Sequence, residues 1–467
     1  MYFKQFYDND LAQGAYLIGC QATGEAVVVD AHRDIQMILD DAEANNLKIV
    51  AVLETHMHAD YLSAVPELAA ATGAQIYLSD EGDKDWKYEY EGIKLYDGDE
   101  IKIGNIIITA QHTPGHTLEH LSYLVTDGAF ADKPGYYLTG DFVFVGDIGR
   151  PDLLDEAAGA IDTRYAGAKL MFKSLKEKFL NLPDYIQVWP GHGAGSACGK
   201  ALGAIPCTTV GYERNFSWWA EYIKNDDYKG FEEALLSGQP DAPMYFARMK
   251  IQNKAGAAIL GELPELKEFS ASEIKPKIAK DIIFIDTRDD ETFRNDGVKD
   301  AYGVPWGKKF VTYTSWLIDS LNDKRDIVVL AKNAQEADAM RRRLIRVGID
   351  NVIGFVSDIS ELDRFKVETI KPQELNNTDD YFVLDVRTAN DYNEGHLDNA
   401  TQIHGSRIMW NLDKLPRDKK ILSYCQKGLT NTIASSALRS AGFNDIVELE
   451  GGYSAWLDAK RRPALAN

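Results

Sequence analysis

At 467 residues the chain exceeds one ordinary core, because single domains stop growing near about 250 residues, so two or three domains are expected. Its 45% hydrophobic and 26% charged residues suit a folded globular protein rather than a disordered or membrane chain. A formal charge of −21 argues against sequence-independent nucleic-acid binding, and four scattered cysteines without a Cys-x-x-Cys pair argue against a disulfide framework or a structural zinc site.

The start, Met1-Tyr2-Phe3-Lys4-Gln5, lacks the basic-then-apolar plan of a secretory signal. No apolar run approaches the roughly 20 residues of a membrane span, so a cytoplasmic protein is expected. Over the first 200 residues short apolar strands alternate with helical stretches. Ala26–Val29, Ile49–Leu53, Ile106–Ala110, Tyr136–Thr139 and Ile186–Trp189 read as strands, and Asp34–Asn46 and Leu62–Thr72 as helices, an α/β pattern. Trp218–Leu260 is rich in helix formers, and Gly261 and Pro264 mark a boundary.

Seven of the nine histidines precede residue 200. Thr55-His56-Met57-His58-Ala59-Asp60-Tyr61 directly follows an apolar strand. Three further strand or loop ends carry His116 (Thr-Pro-Gly-His), Asp141 (Thr-Gly-Asp) and His192 (Pro-Gly-His). Side chains leaving such ends converge on ligand crevices in α/β folds. Four of them ending on His or Asp point to a metal.

These motifs resemble the metallo-β-lactamase superfamily over roughly residues 1–250, which implies a fold of two β-sheets between helices. In dinuclear thioester hydrolases of the glyoxalase II kind the first motif ends in Asp-His, whereas Tyr61 follows Asp60 here. A phenol with a pKa near about 10 is a poor ligand for a second divalent ion. What remains is His56, His116 and Asp141, a set suited to non-haem Fe(II) and similar to that of the persulfide dioxygenases, although zinc also binds His and Asp. The resemblance implies one Fe(II) per chain, with zinc as the alternative. His58, Asp60, Tyr61 and His192 would line the pocket or orient ligands. Arg150, in Gly149-Arg150-Pro151-Asp152, would hold an anionic group of the substrate. The likeness narrows to persulfide dioxygenases fused to rhodanese-like domains at Cys198, on the small-residue loop after His192, where a cysteine can lie by the active site. Cys20 and Cys207 read as structural.

The last 200 residues hold a diverged repeat. Ile282–Arg288 parallels Tyr381–Arg387, and Arg343–Ile349 parallels Ala437–Phe443, the offset changing only from 99 to 94 residues. In the second copy a strand at Ile421–Tyr424 leads into Cys425-Gln426-Lys427-Gly428-Leu429 and a helix beginning near Thr430. Amides of such a loop favour a thiolate or a persulfide anion. With Asp385-Val386-Arg387, Glu394-Gly395-His396 and Leu449–Trp456, this half resembles the single-domain rhodaneses over about residues 370–461. Many of those close the active loop with Arg where Thr430 stands here, leaving Lys427 as the loop's only cation. In the first copy Ala331 aligns with Cys425, so that module should be catalytically dead.

The expected architecture is therefore α/β. An αββα metallo-β-lactamase-like domain over 1–260 is followed by a rhodanese-like module without its cysteine over 266–365 and a rhodanese-like domain with Cys425 over 370–461. The resemblances imply a persulfide dioxygenase with sulfurtransferase activity in sulfide detoxification, Cys425 and Cys198 handling sulfur and Lys427 binding substrate. The implied partners are a low-molecular-weight thiol persulfide, O2, sulfite and thiosulfate, in a chain free to form a homo-oligomer, with neither nucleic acid nor membrane among them. A mononuclear zinc thioester hydrolase of the glyoxalase II type and a non-enzymatic sulfur carrier or redox sensor are the alternatives.

Overall fold

The computed structural model describes residues 1–153 and 163–461. The chain divides into two compact units, Met1–Leu263 with Arg346–Gly348, and Pro264–Ile345 with the chain from Ile349 onward.

In the first unit β1 (Tyr2–Asp8), β2 (Gln13–Cys20), β3 (Glu25–Val29), β4 (Lys48–Leu53), β5 (Gln75–Ser79) and β6 (Ile93–Leu95) form one sheet in chain order. A second sheet contains β7 (Glu100–Ile103), β8 (Ile106–His112), β9 (Leu121–Asp127), β10 (Tyr136–Gly140), β11 (Gln187–Pro190) and β12 (Thr208–Thr209). Strand alternation sorts the core into layers. Tyr16, Ile18, Val27, Val29 and Leu53 pack against Ile106, Ile108, Tyr123, Val125 and Leu138 between the sheets. Their neighbours Leu17, Val28 and Val52 face the helices Gln36–Ala44 and Val65–Thr72 through Ile38, Ala42 and Leu68. On the other side Tyr137 and Val188 meet Met171, Phe172 and Leu175 of helix Thr163–Glu177. Burial on both faces explains why these strands read as unbroken apolar runs.

The expected helices over 34–46 and 62–72 are shorter in the structure. Pro66 in the first turn suits the start of Val65–Thr72, and Gly73 ends it at φ +73°. The helix-rich stretch resolves into Ala220–Lys224, Tyr228–Leu236 and Tyr245–Ala255. No helix among the described residues is long and apolar enough to cross a membrane.

The second unit holds two five-stranded parallel sheets with the same strand order. In the first, Ile282–Asp286 pairs with Asp326–Leu330; in the second, Phe382–Asp385 pairs with Ile421–Tyr424. Each sheet also repeats one ion pair. Arg288 Nη2 donates to Asp286 Oδ2 at 2.6 Å, and Arg387 Nη2 donates to Asp385 Oδ2 at 2.7 Å. The repeat read from the sequence is thus a duplicated fold, whose first copy ends its Asp326–Leu330 strand on the buried Ala331.

Candidate metal centre and thiol loop

β4 ends at Leu53, so the next residues leave the sheet and turn across its carboxyl edge. Asp30, just beyond β3 at φ +56°, anchors them by accepting the Thr55 N–H at 2.7 Å and the Thr55 hydroxyl at 2.8 Å. With its own proton spent on Asp30, Thr55 Oγ1 accepts from His56 Nδ1 at 2.9 Å. That leaves His56 Nε2 as a lone pair, 3.9 Å from Asp141 Oδ2. His116 is set the same way: Nδ1 donates to the Arg150 carbonyl at 2.8 Å, and Nε2 lies 3.4 Å from the same Asp141 oxygen. Burial holds both imidazoles below their ordinary pKa, which keeps them neutral.

Asp141, just past β10, completes the group. Its Oδ1 accepts from His192 Nδ1 at 2.7 Å, while the buried Oδ2 has no hydrogen-bond partner among the described residues. Burial would raise this carboxyl, but the charged His192 imidazole and its hydrogen bond outweigh it and hold the carboxyl well below the usual range. A buried carboxylate oxygen facing two imidazole lone pairs is costly without a cation. His56, His116 and Asp141 therefore fit a metal ion, their ligand atoms lying within 4.8 Å of one another.

Asp60, His192 and Cys198 form a second group of the same compactness, all buried. His192 Nε2 donates to Asp60 Oδ2 at 2.8 Å, so the ring bridges two carboxylates, whose charge overcomes burial and raises its pKa well above normal. Burial, reinforced by the charges on Asp141 and Asp60, pushes the Cys198 thiol far up. Only a neighbouring cation would bring it to the thiolate. His58 donates Nε2–H to Asp30 Oδ1 at 3.2 Å, and its buried Nδ1 has no hydrogen-bond partner among the described residues. Tyr61 is turned to other work: its hydroxyl donates to the Asp30 carbonyl at 3.0 Å and its ring stacks on His58 at 4.3 Å.

Arg150, expected at the substrate, is turned inward in the structure. Its side chain is fully buried, bidentate to Asp152 at 2.8 and 2.7 Å, and it donates to the Pro240 carbonyl at 2.5 Å. Its backbone holds His116 on one side and donates to the Cys198 carbonyl at 3.2 Å on the other. The Arg150 backbone thus ties the ligand loops together, and its guanidinium anchors that backbone on Asp152. Arg150→Ala should lower stability by about 3 kcal/mol or more, because it strands the buried Asp152 carboxylate; urea unfolding measures this.

Sequence reading passed over Asp30, although it follows an apolar strand as Asp141 does. It also passed over His120, whose Nε2 accepts the Asp141 N–H at 3.1 Å while Nδ1 donates to Thr113 Oγ1 at 2.9 Å. With both nitrogens engaged, His120 supports Asp141 from behind. Glu119 accepts the Met57 N–H at 2.7 Å, and burial pushes its carboxyl up to about 7. Of the cysteines expected to be structural, Cys20 is buried with Sγ accepting the Asn105 N–H at 3.3 Å, and Cys207 is half-buried.

In the second unit Cys425 follows strand Ile421–Tyr424, and helix Leu429–Ser440 starts behind Gly428 at φ +142°. The buried Sγ accepts the Gly428 N–H at 3.1 Å. Burial raises this thiol, opposed by the amides of Asn431, Lys427 and Gly428. Tyr453 N–H clamps the Cys425 carbonyl at 2.9 Å, and Arg387 Nη1 donates to Gln426 Oε1 at 3.2 Å. Lys427 is exposed. The loop can therefore cradle an anionic sulfur on a cysteine.

Residues 9–192 match the family described as metallo-beta-lactamase superfamily, and residues 370–459 match the rhodanese-like domain. A metallo-beta-lactamase from Staphylococcus aureus subsp. aureus COL, solved as a crystal structure, is 37% identical, with a TM-score of 0.68 over 76% of this chain and 99% of that one. The chain belongs to the metallo-β-lactamase superfamily. It carries the superfamily fold at its N-terminus and a rhodanese-like domain at its C-terminus. Within the superfamily, a hydroxyacylglutathione hydrolase of Polaromonas sp. (strain JS666) is 30% identical over 50% of this chain and 92% of its own length. The mitochondrial persulfide dioxygenase ETHE1 of Mus musculus is 26% identical over 40% of this chain and 67% of its own length. The superfamily match ends on His192, so it spans both groups of candidate ligands except Cys198.

Proposed function

We propose that this chain oxidises the terminal sulfur of a low-molecular-weight thiol persulfide with O2 at the His56, His116 and Asp141 site, and transfers sulfur through Cys425. The observation that carries this reading is the buried, unpartnered Asp141 Oδ2 facing two imidazole Nε2 atoms. Two imidazoles and one carboxylate form the set that non-haem Fe(II) oxygenases use. Likeness to the mouse persulfide dioxygenase and the presence of a rhodanese-like domain support it.

One Fe(II) held by these three residues would supply the activation of O2. The protein's part is to keep protons away from the ligand atoms: Thr55 and the Arg150 carbonyl fix the His56 and His116 tautomers, and His120 steadies Asp141. His192 holds a proton between Asp141 and Asp60. In the net reaction RSSH, O2 and H2O give RSH, sulfite and two protons, four electrons passing from the outer sulfur to O2. Sulfite formed this way is an acceptor for a persulfide on Cys425, which yields thiosulfate. One chain carrying both activities raises the effective concentration of the shared intermediate.

Metal analysis of anaerobically purified protein, combined with oxygen uptake on glutathione persulfide, tests the proposal. A single iron per chain and sulfite formed in step with oxygen consumed are expected. Zinc content with thioester hydrolysis and no oxygen uptake would overturn it.

The compact Asp60, His192 and Cys198 group favours a second reading, a zinc thioester hydrolase with a second ion there. Cys198→Ala separates the two: under the first reading it keeps its iron, and under the second it loses one of two zinc ions, as counted by mass spectrometry of the native protein.

A further inference from the structure

The turn that joins β4 to helix Val65–Thr72 carries the metal motif and is buried throughout residues 54–64, although it lies outside the helices and strands. Buried backbone groups of that kind must find their partners elsewhere. Some find them nearby: Asp30 accepts the Thr55 N–H, Glu119 the Met57 N–H, and the Ala31 carbonyl the Ala64 N–H at 2.7 Å. The centre of the turn depends on one side chain from far along the sequence. Asn253, on helix Tyr245–Ala255, is only 1% exposed. Its Nδ2 donates to the His58 carbonyl at 2.8 Å and to the Tyr61 carbonyl at 2.8 Å, and its Oδ1 accepts the Ser63 N–H at 2.9 Å. Two carbonyls at one end and an N–H at the other allow a single orientation of the amide. Those two carbonyls bracket Asp60, whose Oδ2 accepts from His192 Nε2, while His192 Nδ1 donates to Asp141. The superfamily match over residues 9–192 does not reach Asn253.

We infer that Asn253 is a positioning residue of the metal centre: it fixes the turn from His58 to Tyr61 so that Asp60 stays on His192, which in turn holds Asp141. The inference rests on the reading of His56, His116 and Asp141 as metal ligands. It adds a residue that acts on them only through the turn, Asp60 and His192. The chemistry of the position is selective. Two donors on one atom with an acceptor beside them exist only on a carboxamide, whereas a carboxylate offers no donor and a hydroxyl offers one. Asn253→Asp therefore keeps the shape of the side chain but sets an oxygen against two carbonyl oxygens at hydrogen-bond distance. Buried carbonyls left without donors carry the full cost of their desolvation, and the turn escapes it only by moving. A helix that packs as a unit is a firmer reference for a metal site than the turn itself. Asp60 also belongs to the compact group with His192 and Cys198, so the same amide sets the geometry of both groups of candidate ligands.

The test is Co(II) binding by the metal-free full chain, with dissociation constants from chelator competition and the visible absorption of the bound ion as a second readout. Asn253→Asp should raise the dissociation constant about tenfold to a hundredfold and shift the absorption, as expected when an outer support of metal ligands is lost. Asn253→Ser keeps one donor, should fall between that variant and wild type, and carries the test if Asn253→Asp does not fold. Two comparisons separate positioning from a general loss of stability. Glu67→Ala removes the acceptor of the Leu260 and Gly261 amides in the same unit. It should leave Co(II) affinity within about twofold of wild type, even where urea unfolding shows a comparable destabilisation. In an Asp60→Ala background, Asn253→Asp should weaken binding by less than about a further twofold, because residues that act through one chain of contacts are not additive. Wild-type affinity in both Asn253 variants, equal Co(II) loss in Glu67→Ala, or effects of Asn253→Asp and Asp60→Ala that multiply would overturn the inference alone. A wild-type chain that binds no Co(II) would overturn the metal reading and this inference with it.

Discussion

Asp141→Ala should abolish persulfide-dependent oxygen uptake and release the iron, a loss of more than about a hundredfold, since disturbing only the outer partners of a metal ligand costs 10- to 100-fold in affinity or activity. Asp141 offers Oδ2 to the metal position, holds His192 through Oδ1 and anchors on His120 through its amide. One substitution thus removes a ligand and frees the imidazole that joins the two ligand groups. His116→Ala should lose metal to a similar degree, because two protein ligands hold a divalent ion poorly. Iron content by emission spectroscopy and oxygen-electrode rates are the readouts, with Asp141→Asn separating charge from shape. Full iron occupancy and wild-type uptake in Asp141→Ala would remove the basis for placing the metal there.

The second large effect is expected at Cys425. Cys425→Ser should reduce sulfur transfer to background, a loss on the order of a thousandfold or more, because a hydroxyl neither forms a persulfide nor leaves as a stable anion. Oxygen uptake should persist, since the metal ligands and Cys425 belong to different compact units. Burial raises the Cys425 thiol above its ordinary range despite the loop amides. Loading that requires the thiolate should therefore keep rising with pH past the point where an unperturbed thiol has ionised. Thiosulfate production by chromatography and persulfide labelling across pH provide the check. Equal loss of both activities in Cys425→Ser would mean that this cysteine feeds the metal site directly.

Local pattern made part of the architecture readable. Apolar runs such as Ile49–Leu53 and Ile106–Ala110 lie within β4 and β8; β4 is buried at most of its positions and so needs apolar residues nearly throughout, whereas β8 alternates buried and half-buried positions. The strands β1, β5, β6, β7 and β9 escaped notice. Tyr2–Asp8 mixes exposed and half-buried positions, and Ile93–Leu95 is only three residues long, so neither carries a clear period. The repeat showed through its two Asp-x-Arg strand ends, which matter because each arginine folds back onto the aspartate two residues before it.

His56, His116, Asp141 and His192 were recognisable as chemistry because each follows a short apolar run or a Pro-Gly turn, a local feature. What each atom does depends on distant partners. Arg150 sits in a motif that reads as a substrate clamp, yet only the fold brings Pro240 and Asp152 around its guanidinium and turns it inward. Tyr61 reads as a missing ligand, but the Asp30 carbonyl engages its hydroxyl. Cys198 joins Asp60 and His192 across 138 residues of chain. The amino-acid sequence by itself determined which residues could bind metal or carry sulfur, since side-chain chemistry and short-range period are local. Tertiary structure decided which lone pairs are left unprotonated and which charges meet, because hydrogen bonds and burial are set by neighbours that the chain brings together only when folded.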